Sequence, residues 1–399
     1  MTQLSSPPAG GERIHALDAV RGGALLLGVA FHATMSFLPG PQIWVVRDAP
    51  DPVLGGLFFV AHMFRMTLFF LVAGFFARML VERGGAGGFV RDRGKRIVLP
   101  LLVFWLPVMA AMIGAFAWGA AAMNGGTLPA TPAPTPPMTL ATFPLGHLWF
   151  LYVLTLFYLA ALAVRRFGRA PDGLVRFAVQ RNLGVLLLGL PMFAVLAAKA
   201  DWMPSLGVPT PDMGFVPNLA AIAAYGTAFG FGWLLNRQPG LLQAFARVWP
   251  VHLGVAMAAT AILILSLGGV LPVFAPEVDG ARRAVLAALY ALGAWSWTLG
   301  LLGAALRFLS RPNAAVRYCA DASYWIYLVH IPVVMALQVA VYPIGAPALV
   351  KFALVLAGAF LILFASYHLL VRHSWIGRWL NGRSYQWRAA KPAMEVVPA

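Results

Sequence analysis

A carboxylate, an arginine and a histidine stand at helical intervals in the first apolar stretch of this sequence. Asp18 precedes Arg21 by one turn, and His32 follows Arg21 by eleven residues. Eleven steps of 100° make three turns plus about 20°, so Arg21 and His32 share one helix face, roughly 16 Å apart along the axis. Arg21 falls at the polar edge of the stretch, where Asp18 can pair with it. His32 falls well inside. A histidine at that depth suits a general base, because its ordinary pKa lies near working pH; it would serve as well as a hydrogen-bonding group between helices. The second apolar stretch holds His62-Met63-Phe64-Arg65, with imidazole and guanidinium one turn apart on one face. An ionisable group at the centre of a membrane costs about 3 kcal/mol or more, so it needs a partner or a task. Arg65 is expected either to snorkel to the headgroups or to hold a carboxylate, a carbonyl or a polar substrate.

Three more segments carry groups of this kind. Arg91-Asp92-Arg93-Gly94-Lys95-Arg96 precedes the third stretch. Such a run anchors orientation on anionic lipid, and the arginine fork also fits the phosphates of a nucleotide cofactor. His147-Leu148-Trp149 opens the fourth stretch, where Trp149 reads as interfacial belt or as an apolar face for a sugar ring. Asp321 through His330 opens the ninth, placing His330 about two turns in from the basic side. His15, His252, His368 and His373 lie near the inner surface and read as structural. No metal-ligand spacing such as H-E-x-x-H occurs, and no nucleophile elbow, P-loop or dinucleotide fingerprint. No metal is expected, and any chemistry must be assembled from buried His, Arg and aromatic groups on different helices.

The elements that must position these groups are membrane helices. The chain has 399 residues, 61% hydrophobic and 11% charged, against roughly 25% charged for a soluble domain. Apolar runs near 20 residues recur throughout. They predict ten transmembrane helices, at about 22–38, 54–80, 97–123, 147–164, 183–199, 219–235, 251–270, 285–306, 324–342 and 348–371. The fold class is therefore all-α, a polytopic helical bundle. Its organisation reads as an N-terminal cytoplasmic tail (1–15), a transmembrane domain (16–373) and a C-terminal cytoplasmic tail (374–399). Lys and Arg number 29 against 13 Asp and Glu, and most sit in alternate loops, which puts both termini in the cytoplasm. That distribution also disposes of nucleic acid as the reason for the net +16 charge. The loop 124–146 is proline-rich and reads as an extended surface linker. The single cysteine, Cys319, permits no disulfide within the chain. The first apolar run lacks a convincing cleavage site and reads as a retained helix.

Taken together these segments resemble the acyltransferase 3 family of membrane proteins. The likeness rests on the Arg21-to-His32 spacing, Phe69-Phe70-Leu71-Val72-Ala73-Gly74, the Arg93/Arg96 pair, and Ser323-Tyr324-Trp325-Ile326-Tyr327-Leu328-Val329-His330. It covers roughly residues 13–373. Leu-Val-Ala-Gly stands where many members carry Val-Ile-Ser-Gly, so one hydroxyl is missing. Within the family, His62-Met63-Phe64-Arg65-Met66 and His147-Leu148-Trp149-Phe150-Leu151 are most similar to the branch implicated in succinylating osmoregulated periplasmic glucans. The resemblance implies a bacterial inner-membrane enzyme that moves an acyl group, with succinyl favoured, from cytosolic acyl-CoA to hydroxyls of a periplasmic glucan or another envelope glycan. No cofactor would be permanently bound; lipid surrounds the protein, and a homo-oligomer is compatible with the sequence. His32, with Arg21, Asp18, His62 and Arg65, would form the catalytic set. Arg93, Lys95, Arg96 and His330 would hold the CoA, and His147 and Trp149 the sugar. The rival classes are O-acetyl transfer to another envelope glycan, a transporter or flippase for an anionic or glycan substrate, which predicts movement without covalent change, and a non-catalytic scaffold, for which His32 and Arg65 would be dispensable.

Overall fold

The computed structural model describes residues 15–129, 137–167 and 171–385. Part of the proline-rich loop (130–136) and most of the two tails (1–14 and 386–399) lie outside the described residues. Among the described residues there is no strand, only an isolated bridge between Pro144 and Met213. The helices are α1 (His15–Thr34), α2 (Pro52–Arg93), α3 (Leu99–Met123), α4 (Trp149–Phe167), α5 (Asp172–Gln180), α6 (Gly184–Ala198), α7 (Leu219–Leu235), α8 (Leu242–Ser266), α9 (Gly280–Phe308), α10 (Ala314–Val341), α11 (Ala348–Ser366) and α12 (Trp375–Asn381).

Each of the ten expected stretches coincides with a helix, but several helices begin well before their apolar run. Asn313 caps α10 by accepting from the Ala315 and Val316 amides, so the helix begins at Ala314, ten residues ahead of the expected start. A good N-cap and a polar first turn extend the helix past the apolar boundary. His330 consequently sits in the middle of α10. α8 starts at Leu242, directly after a 3-10 turn at Pro239–Leu241, and takes Pro250 into its interior, so His252 is buried in the helix and not at the surface.

Length and composition alone do not reproduce the expected count of ten crossings. By length and composition seven helical runs can cross a membrane, or eight if α5 and α6, bent by 110°, form one span. Two facts account for the difference. The run 52–123 holds two of the expected spans but counts once: it is broken at Gly85, whose φ of +66° and ψ of 174° are non-helical, and passes through a π-helical turn at Gly94–Val98 into α3, and α7, at 17 residues, is short for a span.

Helix packing relies on small residues, as it does where lipid removes the hydrophobic drive between helices. α2 crosses α7 where Gly74 faces Phe229 and Gly232 faces Leu71. A Cβ on Gly74 would lie 2.0 Å from the Phe229 carbonyl oxygen, and one on Gly232 1.8 Å from that of Leu71. α1 is packed against α2 on one side and α10 on the other, and α8 pairs with α9 along its length. At the arginine-rich end α12, capped by Ser374, folds under the bundle. Trp379 donates its indole N–H to the Lys95 carbonyl at 2.7 Å. Asn381, Arg383 and Tyr385 all bond to Asp321.

Candidate functional site

Between α1, α2, α4 and α10 lies a cavity of about 600 Å³ whose lining includes His32, His62, Arg65, His147, Trp149 and His330. Five of these were expected near the chemistry or the sugar; His330 was expected with the CoA. The early start of α10 carries it away from the basic end and beside His32, with ring centroids 5.2 Å apart. His147 approaches His330 from the 3-10 turn that leads into α4, at the same centroid distance, 5.2 Å.

Backbone carbonyls only accept, so they set the tautomers here. His330 donates Nδ1–H to the Tyr327 carbonyl (2.8 Å), and His147 donates Nε2–H to that of Leu328 (3.2 Å). The neutral rings then present lone pairs at His330 Nε2 and His147 Nδ1. Both atoms are buried with no hydrogen-bond partner among the described residues, as is His32 Nδ1. Despite four converging histidines, no group of three or more His, Cys, Asp or Glu among the described residues is placed to hold a metal ion.

Arg65 does not snorkel. It is 9% exposed, and its guanidinium carbon stands 4.3 Å from the centroid of the Phe31 ring. Phe31 stacks in turn on His62 (5.3 Å, 18°). Among the described residues no carboxylate pairs with Arg65, and its Nε and Nη1 have no hydrogen-bond partner. A desolvated guanidinium left in this way costs several kcal/mol unless something meets it. Space for the side chain is left by Gly28 of α1, where a Cβ would lie 3.1 Å from Arg65 Nη1.

Two residues that hold His32 escaped the sequence reading. Trp44, in the segment after α1, stacks on the His32 ring (5.7 Å, 15°). Its indole N–H donates to Gln338 Oε1 at 2.7 Å. Gln338, 1% exposed, donates Nε2–H to the carbonyls of His32 (3.2 Å) and Ala33 (3.1 Å). A glutamine within an apolar stretch is itself a signal, since a buried amide must find partners. Trp44 gave none, because a tryptophan beside a span ordinarily reads as interfacial belt. Lys199 and Asp201 also line this cavity. Lys199 Nζ lies 2.7 and 2.9 Å from the two Asp201 oxygens and holds that carboxyl below the usual carboxylate range.

A second cavity, about 470 Å³, occupies the arginine-rich end. Asp18 and Arg21 line it, paired at 3.1 Å, as do Arg93 and Arg96, both on Asp92. Asp18 and Arg21, expected with the catalytic set, are thus separated from His32 by about three to four turns of α1. Lys95 is exposed and is not part of the lining. Arg83, Tyr158, Tyr324 and Arg383 complete the wall; Tyr324 donates its hydroxyl to the Arg96 carbonyl. Arg383 comes from the segment after α12, too far along the chain for spacing to relate it to Arg93.

Comparison with known proteins bears on what these cavities do. The model of a family described as an acyltransferase domain matches residues 14–370. The chain is 27% identical over 344 residues to proteins named glucans biosynthesis protein C from Salmonella paratyphi B, Salmonella enteritidis PT4 and Salmonella gallinarum, covering 83% of this chain and 84% of each of them. No solved structure matches.

Proposed function

This chain belongs to the acyltransferase 3 family and is a non-aminoacyl acyltransferase, and from that premise we propose that it moves a succinyl group from cytosolic acyl-CoA to hydroxyls of a periplasmic glucan. The observation that supports the reading is a pair of adjoining cavities with different linings. One presents arginines at the end where a CoA phosphate would dock. The other gathers His32, His330, His147 and Arg65 in a largely apolar chamber at the opposite end. The arginine end would face the cytosol and the histidine end the glucan, as the basic loops imply.

In this reading the acceptor hydroxyl enters the histidine chamber with its proton toward His32. Its oxygen forms a C–O bond to the thioester carbonyl carbon, and the C–S bond breaks. The hydroxyl proton passes through His32 to the departing CoA sulfur. Transfer by way of an acylated His32 would give the same products in two steps. Trp44 would press one face of the imidazole and Gln338 would hold its backbone, so the ring keeps its aim. Arg65 has open donors inside a desolvated site, where they act most strongly on developing negative charge. It suits either the oxyanion or the free carboxylate that a succinyl donor carries. Trp149 would offer an apolar surface to the sugar.

The test is mass spectrometry of periplasmic glucans from cells with and without the protein, and with His32→Ala. Loss of the succinyl mass increment in both cases is expected. Unchanged glucans without the protein would refute this substrate assignment, and full transfer by His32→Ala would refute the base.

A further inference from the structure

The histidine chamber and the arginine chamber are lined in common by four residues: Leu25, Phe69, Phe150 and Tyr327. Each comes from a different helix, α1, α2, α4 and α10. Phe69 meets Phe150 edge to face, with centroids 4.5 Å apart at 90°. Phe150 stands against Tyr327 at 5.7 Å and 77°. The Tyr327 hydroxyl is fixed by its bond to the His147 carbonyl at 2.8 Å, so it is tied to the 3-10 turn that leads into the helix presenting Phe150. None of the four carries a charge, although the chambers on either side are rich in charged and ionisable groups. Phe69, Phe150 and Tyr327 are buried.

An apolar passage between two chambers that hold charged and ionisable groups is a barrier to ions and protons, because water leaves a narrow apolar ring and ions do not enter it unhydrated. Such a barrier is required here. Two chambers holding charged groups and reaching inward from opposite ends of a membrane protein would otherwise join into a leak. We propose that Leu25, Phe69, Phe150 and Tyr327 form a neck that seals the membrane in the resting protein, and that the acyl-thioester arm of the donor parts this neck to reach His32. The second half rests on the acyl-transfer reading above; the seal does not. The rings fit the task, since edge-to-face contacts of this kind are worth only about 0.5–1.5 kcal/mol each beyond their buried area, and a slender arm can displace them.

The experiment uses the full chain in sealed vesicles loaded with a pH-sensitive dye and given a pH step. Wild type should hold the gradient as long as protein-free vesicles. Phe150→Ala should shorten its lifetime at least about tenfold, equivalent to about 1.4 kcal/mol of barrier. Phe69→Leu, a milder change less prone to disturb folding, should act in the same direction. Leu25→Trp should narrow the neck, so that the protein still binds CoA in titration calorimetry and stays tight, while transfer from succinyl-CoA is lost. Retained CoA binding also certifies that each variant is folded. Gradients held at wild-type length by both Phe150→Ala and Phe69→Leu would overturn the seal, as would a wild type that leaks like them. Wild-type transfer by Leu25→Trp would overturn the passage. A wild type that transfers from no acyl-CoA would refute the acyl-donor reading and with it the passage, while the dye measurement would still decide the seal.

Discussion

Arg65 brings a guanidinium into the bundle where the described residues offer it an aromatic face and no carboxylate. Its two candidate partners, the oxyanion and the acyl carboxylate, predict different kinetics. If it holds the carboxylate, Arg65→Lys should slow transfer from succinyl-CoA far more than from acetyl-CoA, since acetyl has no carboxylate. If it holds the oxyanion, both donors should lose the about 10²–10³ in kcat typical of one such donor. Steady-state rates with the two donors separate the cases, and no effect on either would remove Arg65 from the site. Gln338 is a different kind of residue, since it orients and does not react. Gln338→Leu would leave the buried Trp44 indole N–H without its acceptor, which costs about 1–3 kcal/mol. We expect a lower unfolding temperature in detergent together with a lower kcat and little change in the KM for acyl-CoA. An equal loss of stability with full kcat would make the amide purely structural. Arg65 and Gln338 were both visible in the sequence as polar groups inside apolar runs. What each one touches was not, because their neighbours come from residues near 30, 44 and 330.

At the scale of elements, α2 holds the site together. It carries His62, Arg65 and Phe69 on the side toward α1 and α4, and at Gly74 it presses directly on α7. A side chain on Gly74 would collide with backbone, which cannot swing aside as a flexible side chain can. Gly74→Ala should therefore separate α2 from α7, destabilising the protein by about 1–3 kcal/mol as overpacked sites do. The check is thermal unfolding in detergent; an unchanged midpoint would mean that the crossing is looser than the geometry states. The existence of each helix was legible, because apolar runs near 20 residues have few alternatives. Their starts were not. α10 begins at the Asn313 cap and α8 directly after the 3-10 turn Pro239–Leu241, both outside the apolar runs they extend, and capping, unlike hydropathy, decides where a helix such as α10 begins. That shift is what moves His330 from the expected CoA site to the side of His32.

For the whole molecule, two chambers that open at opposite ends make sense only in one orientation for the proposed reaction. The arginine chamber must face the cytosol, where acyl-CoA is made. In a Cys319→Ser background, a cysteine at exposed Arg311, between α9 and α10, should react with a membrane-impermeant maleimide only after the inner membrane is permeabilised. One at exposed Val278, between α8 and α9, should react in intact spheroplasts. The reversed pattern would invert the molecule and separate His32 from the periplasmic glucan.

By itself the sequence determined the medium, the class of fold and the family. These follow from composition, from the recurrence of apolar runs and from short motifs in order, all local or additive properties of the chain. It also marked His32, Arg65 and His330, since a polar group at membrane depth is conspicuous one residue at a time. Only the tertiary structure decided that His330 stands with His32, that Arg21 and Asp18 stand apart from it, and that Trp44 and Gln338 hold its ring and backbone. It alone brought Leu25, Phe69, Phe150 and Tyr327 to the wall shared by both cavities. Each of those relations joins residues on different helices, and which helix faces meet depends on small-residue crossings and helix starts that no single segment encodes.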